Sequence, residues 1–223
     1  VKKATKKDWD WQWKSFQKGI FLKVNQGVVE KIDKIFEKKL KRVKILEVGA
    51  GSGSDLVFLA QKGAYCTALD YSKEALEVCR KLTKSNGVKV KTVKADCRKM
   101  PFDDNSFDLV FSVGLLEHFR NPLPILREQI RVVKKGGRIL IDVPQKYNLY
   151  TLVKQWRMWR GKYALGWETQ YSVADLKKML EGENVKIESF YGRESALTVK
   201  LPLSWRPKWQ KIVRFEERLR WAS

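Results

Sequence analysis

Paired cysteines, histidines and long apolar runs are what this sequence lacks. Among 223 residues there are three Cys and one His. Cys66, Cys79 and Cys97 are odd in number, widely spaced and set in apolar or mixed surroundings. That pattern excludes a disulfide framework or zinc site at ligand spacing, so no metal is expected; reduced core or near-core cysteines fit a cytoplasmic protein. No apolar run approaches the roughly 18 residues of a membrane span. The longest, around Leu109 to Leu116, contains Ser112 and Gly114. The basic start, Val1 to Lys7, leads into Asp8-Trp9-Asp10 and not into an apolar stretch, so no secretory leader is expected in it. It opens on Val and not on Met, which leaves room for native residues ahead of it. Internal repeats and low-complexity linkers are also absent.

Negative charge is scarce as well: 46 Lys and Arg oppose 25 Asp and Glu, a net charge of +21. The excess is uneven, with +9 over residues 1–44, +4 over 45–144 and +8 over 145–223. Tryptophan follows the same division, with Trp9, Trp11 and Trp13 in front and Trp156, Trp159, Trp167, Trp205, Trp209 and Trp221 behind. A nearly balanced middle is thus flanked by basic, Trp-rich segments. Those flanks suit an anionic membrane surface or RNA; a solvated lysine-rich exterior with tryptophans packing inward is the plain alternative.

What is present is an alternation of strand and helix patterns. Residues 9–40 read as mostly helical, with Val28, Ile32, Ile35, Phe36 and Leu40 on one face. Strands are expected at 43–48, 65–70, 89–95, 107–112 and 138–143, the last after a tight turn at Lys134-Lys135-Gly136-Gly137. Helices are expected over 54–62, 73–84 behind a Ser72 cap, and 122–133. This rhythm predicts an α/β fold, a doubly wound and mostly parallel sheet. From Gln145 to Tyr171 the chain reads as an irregular aromatic insertion. A helix starting at Ser172 follows, then two runs, Val185–Tyr191 and Ala196–Leu201, spaced for an antiparallel hairpin that would bring the sheet to seven strands. Residues 205–221 read as a basic amphipathic helix.

The most telling stretch is Ile45-Leu46-Glu47-Val48-Gly49-Ala50-Gly51-Ser52-Gly53. Strand, glycine turn and helix start let backbone approach a nucleotide-like ligand with no Cβ in the way. Asp70 closes the next strand about 20 residues on, where a ribose-binding acid belongs. The spacing is Gly-x-Gly-x-Gly, not Gly-x-Gly-x-x-Gly, which argues against a nicotinamide oxidoreductase.

Glu47 to Gly53, Asp70, Ala95-Asp96, Met100-Pro101-Phe102-Asp103, Phe107-Asp108-Leu109-Val110 and Leu115-Leu116-Glu117-His118 occur in that order. This set resembles the class I S-adenosylmethionine-dependent methyltransferases, nearest the small-molecule branch with the ubiquinone and menaquinone C-methyltransferases. The resemblance covers residues 45–143 well and 172–200 loosely. It implies a Rossmann-like core that takes S-adenosylmethionine and releases S-adenosylhomocysteine. It further implies that the backbone at Gly49, Ala50, Gly51 and Gly53 passes under the donor. Glu47 would orient that loop or meet the donor's ammonium through water. Asp70 would accept from the ribose hydroxyls, Tyr71 would lie against the adenine, and Asp96 and the Cys97 N–H would serve its edge. The Ser112–Val113 backbone would face the methionine end.

On that reading the chain divides into an N-terminal helical cap (1–44), the donor-binding core (45–143), a substrate-covering insertion (144–171), the last helix and strands of the core (172–200) and a basic C-terminal helix (201–223). His118, at the rim of the pocket, is the candidate base, with a loop-shaping role as the alternative. No Asn/Asp-Pro-Pro-Tyr/Phe follows the fourth strand and no Pro-Cys nucleophile is present, which leaves a small organic acceptor. Trp13, Gln145, Tyr147, Trp167 and Tyr171 are its expected contacts. The alternatives are an RNA methyltransferase or nucleic-acid-binding module, and a lipid or quinone methyltransferase peripheral to a membrane. The oligomeric state stays open.

Overall fold

The structure is a computed structural model that describes residues 9, 13, 24–147, 149–161, 163 and 167–192. It divides into two compact units, one of residues 2–144 with 165–169, the other of residues 145–164 with 170–223.

In the first unit, helix α1 (Gln26–Ile35) precedes strand β1 (Lys44–Val48), α2 (Ser54–Gln61), β2 (Tyr65–Asp70), α3 (Lys73–Ser85), β3 (Val90–Lys94), β4 (Phe107–Val113), a 3-10 turn (Leu116–His118), α4 (Leu123–Val132) and β5 (Val133–Asp142). All four strand pairings are parallel, in the order β3-β2-β1-β4-β5. The chain runs outward from β1 to β3, then returns to lay β4 on the other side of β1. That reversal makes the carboxyl ends of β1 and β4 the switch point where open α/β sheets bind ligands. β1 and β2 each expose only their first residue, which is why they read as continuous apolar runs. β3, at an edge of the described sheet, carries Lys91 and Lys94 among half-buried residues, and charge on an edge strand discourages pairing with other chains.

Leu46, Val48, Leu69, Val110, Leu116, Ile125 and Val132 form one buried cluster with Met100 and Phe107. Truncating such a residue to Ala costs about 2–5 kcal/mol. Leu116 belongs to the cluster, so the turn that carries His118 is rooted in the core. The 95–106 connection is clamped from α4. Glu128 accepts from the Met100 N–H at 2.6 Å and pairs with Arg131, whose guanidinium donates to the carbonyls of Met100 and Phe102.

The helix expected over 9–40 is shorter within the described residues. α1 ends at Ile35, where Glu37 and Lys38 take positive φ and turn the chain, although Leu40 is still buried. The fifth strand starts earlier than expected, at Val133. The predicted turn at Lys134–Gly137 is an irregularity inside β5: the register shifts between Phe107 and Leu109, and Gly136 takes φ +76°.

In the second unit the insertion is not wholly irregular, because residues 149–159 form helix α5 (Leu149–Trp159). Its buried positions include Thr151, Lys154 and Met158 while Leu152, Val153, Trp156 and Trp159 are exposed, so the apolar pattern points the wrong way. Helix α6 (Val173–Leu180) starts at the predicted Ser172 in a capping box with Asp175. Residues 185–192 are not in a strand; a strand needs a partner, and the expected one, Ala196–Leu201, lies outside the described residues together with the predicted C-terminal helix. No helix among the described residues is long and apolar enough to cross a membrane.

Candidate active site

The loop after β1 is folded back on β2. The N–H groups of Gly49 and Ala50 both donate to the Leu69 carbonyl, at 2.8 and 3.0 Å, and Gly53 N–H donates to the Ala50 carbonyl at 2.8 Å. Gly51 has φ +54°, and a Cβ there would lie 2.6 Å from the Trp13 ring. Gly53 is the left-handed N-cap of α2, and its Cβ would lie 2.5 Å from Cys79 Sγ. Neither position accepts a side chain without displacing its neighbour. Trp13, expected at the acceptor, therefore packs on the glycine loop itself.

Three carboxyl groups are buried around this loop. Asp70 accepts from Gly51 N–H through Oδ2 and from Ser72 N–H through Oδ1, each at 2.9 Å, and so ties the loop to the end of β2. Asp55, in the first turn of α2, accepts from the Asn25 N–H at 2.7 Å and from its Nδ2 at 3.0 Å. Glu47 is different: Oε2 is buried with no hydrogen-bond partner among the described residues. Burial, and then the charges of Asp55 and Asp70, hold its carboxyl well above the ordinary range.

Tyr71 follows Asp70 and is partly exposed. Asp96 is not poised alone, because Arg98 chelates it through Nε and Nη2, the latter at 2.6 Å, and this pairing holds its carboxyl below the usual range. Cys97 is buried, like Cys66 and Cys79, and burial pushes all three thiols up to about 12, so none offers a thiolate nucleophile. Ser112 is buried at the end of β4, where its Oγ accepts from Gln129 Nε2 at 3.3 Å, and Val113 is half-buried beside it.

His118 closes the turn after β4. Trp9 meets its ring edge-on, with centroids 4.8 Å apart and planes at 80°. Glu168 Oε1 lies 3.9 Å from its Nδ1. Thr169 N–H donates to the Glu117 carbonyl at 2.8 Å, so residues 167–169 are strapped to the same turn, and Trp167 stacks on Arg120.

Comparison with known proteins bears on this arrangement. Residues 46–141 match the family model described as a methyltransferase domain. A demethylmenaquinone methyltransferase of Clavibacter sepedonicus is 41% identical over 98 residues, 44% of this chain and 40% of that protein. A ubiquinone biosynthesis O-methyltransferase of Vibrio parahaemolyticus is 33% identical over 116 residues, 52% of this chain and 47% of that one. Residues 46–141 are a methyltransferase domain.

A crystal structure of a Bacillus halodurans protein designated a methyltransferase has a TM-score of 0.57 at 27% identity, covering 68% of this chain and 67% of that one. The YcgJ protein of Bacillus subtilis, at 22% identity and TM-score 0.58 over 70% of this chain and 67% of its own, shares the fold. The chain spans less than half the length of the two curated relatives named above.

The first unit brings Glu47, Gly49 to Gly53, Asp70 and Trp13 together around one loop, and sets His118 beside Trp9 and Glu168 on the turn after β4. In the other unit, Gln145 bridges Tyr171 in parallel, Lys146 N–H donates to the Tyr171 carbonyl at 3.0 Å, and the exposed Tyr147 ring lies 5.7 Å from the Lys146 ammonium. Sequence reasoning missed Glu117 and Glu168, both buried. Their one signal is that a carboxylate beside a lone histidine or between Trp167 and Thr169 has no obvious solvent role.

Proposed function

We propose that this chain transfers the methyl group of S-adenosylmethionine to a small organic acceptor, the donor lying in the cradle at the carboxyl ends of β1, β2 and β3. The observation that carries the reading is Glu47 Oε2, buried with no hydrogen-bond partner among the described residues beside a glycine loop that excludes side chains. A buried carboxyl of this kind suits a ligand that brings positive charge, and this donor carries both a sulfonium and an ammonium. When bound, it supplies an electrophilic methyl for in-line displacement. Asp70, whose two oxygens accept from the Gly51 and Ser72 N–H groups, would also accept from the ribose hydroxyls. Tyr71 would cover the adenine, with Asp96 and the Cys97 N–H at its edge and the Ser112–Val113 backbone at the methionine end. Binding at Asp96 would compete with Arg98.

His118 would take the acceptor's proton as the new bond to carbon forms, leaving a neutral methylated product. The protein otherwise aligns the reactants and excludes water. The names of the two relatives, one acting on demethylmenaquinone and one an O-methyltransferase of ubiquinone biosynthesis, favour a quinone-type or phenolic ring as acceptor. Within the first unit, Trp167 and Trp13, where it packs on the glycine loop, are the candidate contacts.

Incubation with methyl-labelled donor and a panel of catechols, demethylated quinones, transfer RNA and anionic vesicles tests the reading. Label is expected in an aromatic small molecule, and His118→Ala should cut that turnover by about 10²–10⁴-fold with donor affinity preserved. Label confined to RNA or lipid, or no transfer to any of them, would contradict it.

A further inference from the structure

We infer that Glu168 is a positioning residue for His118: its carboxylate holds the imidazole as the tautomer with the proton on Nδ1, so that the lone pair stands on Nε2. This rests on the reading of His118 as the base. Three observations support it. Glu168 is buried, its side chain only 3% exposed, so its carboxylate acts in a setting where water screens it poorly. Its Oε1 lies 3.9 Å from Nδ1. Its position is fixed from outside the pair, because the next residue, Thr169, donates its N–H to the carbonyl of Glu117, the residue before His118. The two side chains therefore leave adjoining points of one hydrogen-bonded backbone contact.

The chemistry follows from the donor inventory. A neutral imidazole has one N–H donor and one acceptor nitrogen, while an ionised carboxylate only accepts. Facing Glu168, Nδ1 is stabilised as the donor, and Nε2 is left as the basic atom. A separation of 3.9 Å is longer than a hydrogen bond, as catalytic contacts often are before a site is loaded. Once Nε2 has taken a proton, the same carboxylate faces a cation and stabilises it. Trp9, edge-on to the ring at 80°, restricts its rotation out of that plane. Of the other charged groups nearby, Arg120 is stacked on Trp167, and the Glu117 carboxyl lies toward Gly114, where Oε1 would be 3.4 Å from a Cβ.

The chain has one histidine, so its imidazole gives a single set of ring signals and no assignment problem. The experiment is nitrogen-15 NMR of the full chain, without a histidine tag, across a pH series, for wild type, Glu168→Gln and Glu168→Asp. Wild type is expected to show the Nδ1–H tautomer at high pH. Glu168→Gln is expected to lower the titration midpoint by about one pH unit and to lose the tautomer preference, with Glu168→Asp between the two. Backbone amide spectra and S-adenosylmethionine affinity that match wild type show that the variants are folded. An Nε2–H tautomer in wild type, or a midpoint that Glu168→Gln leaves in place, would overturn the proposal even if His118→Ala is inactive. The reverse result, an NMR effect as expected with His118→Ala fully active, would instead remove the base reading and with it the catalytic sense of the pair.

Discussion

The two ends of the central sheet carry opposite charge under opposite conditions. Around the carboxyl ends of β1 and β2, Glu47, Asp55 and Asp70 are buried carboxyl groups. At the amino ends of the same strands, Lys44, Arg80, Lys84, Lys89 and Lys91 line an open groove of about 750 Å³ and are exposed. Exposed lysines are solvated and cost the fold little, whereas a buried carboxyl persists only with partners. Asp55 and Asp70 have them in backbone and side-chain N–H groups; Glu47 Oε2 has none among the described residues. The net charge of +21 therefore describes the exterior. The site has the other sign, and it is the size of neither cavity nor charge that marks it but an acid left for a ligand to answer.

The comparison can be broken most severely at the glycine loop. Gly51→Val places a β-branched side chain at φ +54° against Trp13, and donor affinity by calorimetry should fall about a hundredfold or more. Asp70→Ala strips the acceptor from two backbone N–H groups, so thermal unfolding should show a loss of about 2–3 kcal/mol with donor affinity down at least about tenfold.

Glu47→Gln sharpens the contrast, since it separates stability from binding. Burial raises the folded carboxyl above its ordinary value of 4.5. The stability that its neutral form provides is thus full below about pH 4.5 and is lost as pH rises through the higher folded value. The isosteric amide removes that loss. The variant should be more stable than wild type by about 1–3 kcal/mol at pH 8, little different at pH 4, and yet bind the donor about tenfold more weakly. A stabilised variant with unchanged affinity would separate Glu47 from the ammonium. The smallest effect belongs to the groove: Lys84→Glu with Lys89→Glu should leave donor affinity within about twofold and stability within about 0.5 kcal/mol.

The cradle was legible because its constraints are local. Glycines at alternate positions, an acid closing β2 at Asp70 and a Ser72 cap are each set by neighbours in sequence, and β2 falls at Tyr65–Asp70 as expected. Where burial depends on distant packing the reading failed. Helix α5 hides Thr151, Lys154 and Met158 and exposes Trp156 and Trp159, so its periodicity was read as irregular. β5 already begins at Val133, because a bulge carries the strand through two glycines that look like a turn. Glu168 is fifty residues from His118, and the strap at Thr169 helps to bring them together. The Asp-x-Arg spacing that lets Arg98 chelate Asp96 is, by contrast, local and legible.

Calorimetric titration of the full chain with S-adenosylmethionine tests the central claim most directly. One-to-one binding is expected, matched by S-adenosylhomocysteine and lost in Gly51→Val. Absence of binding by both compounds to the folded wild-type protein would contradict the account.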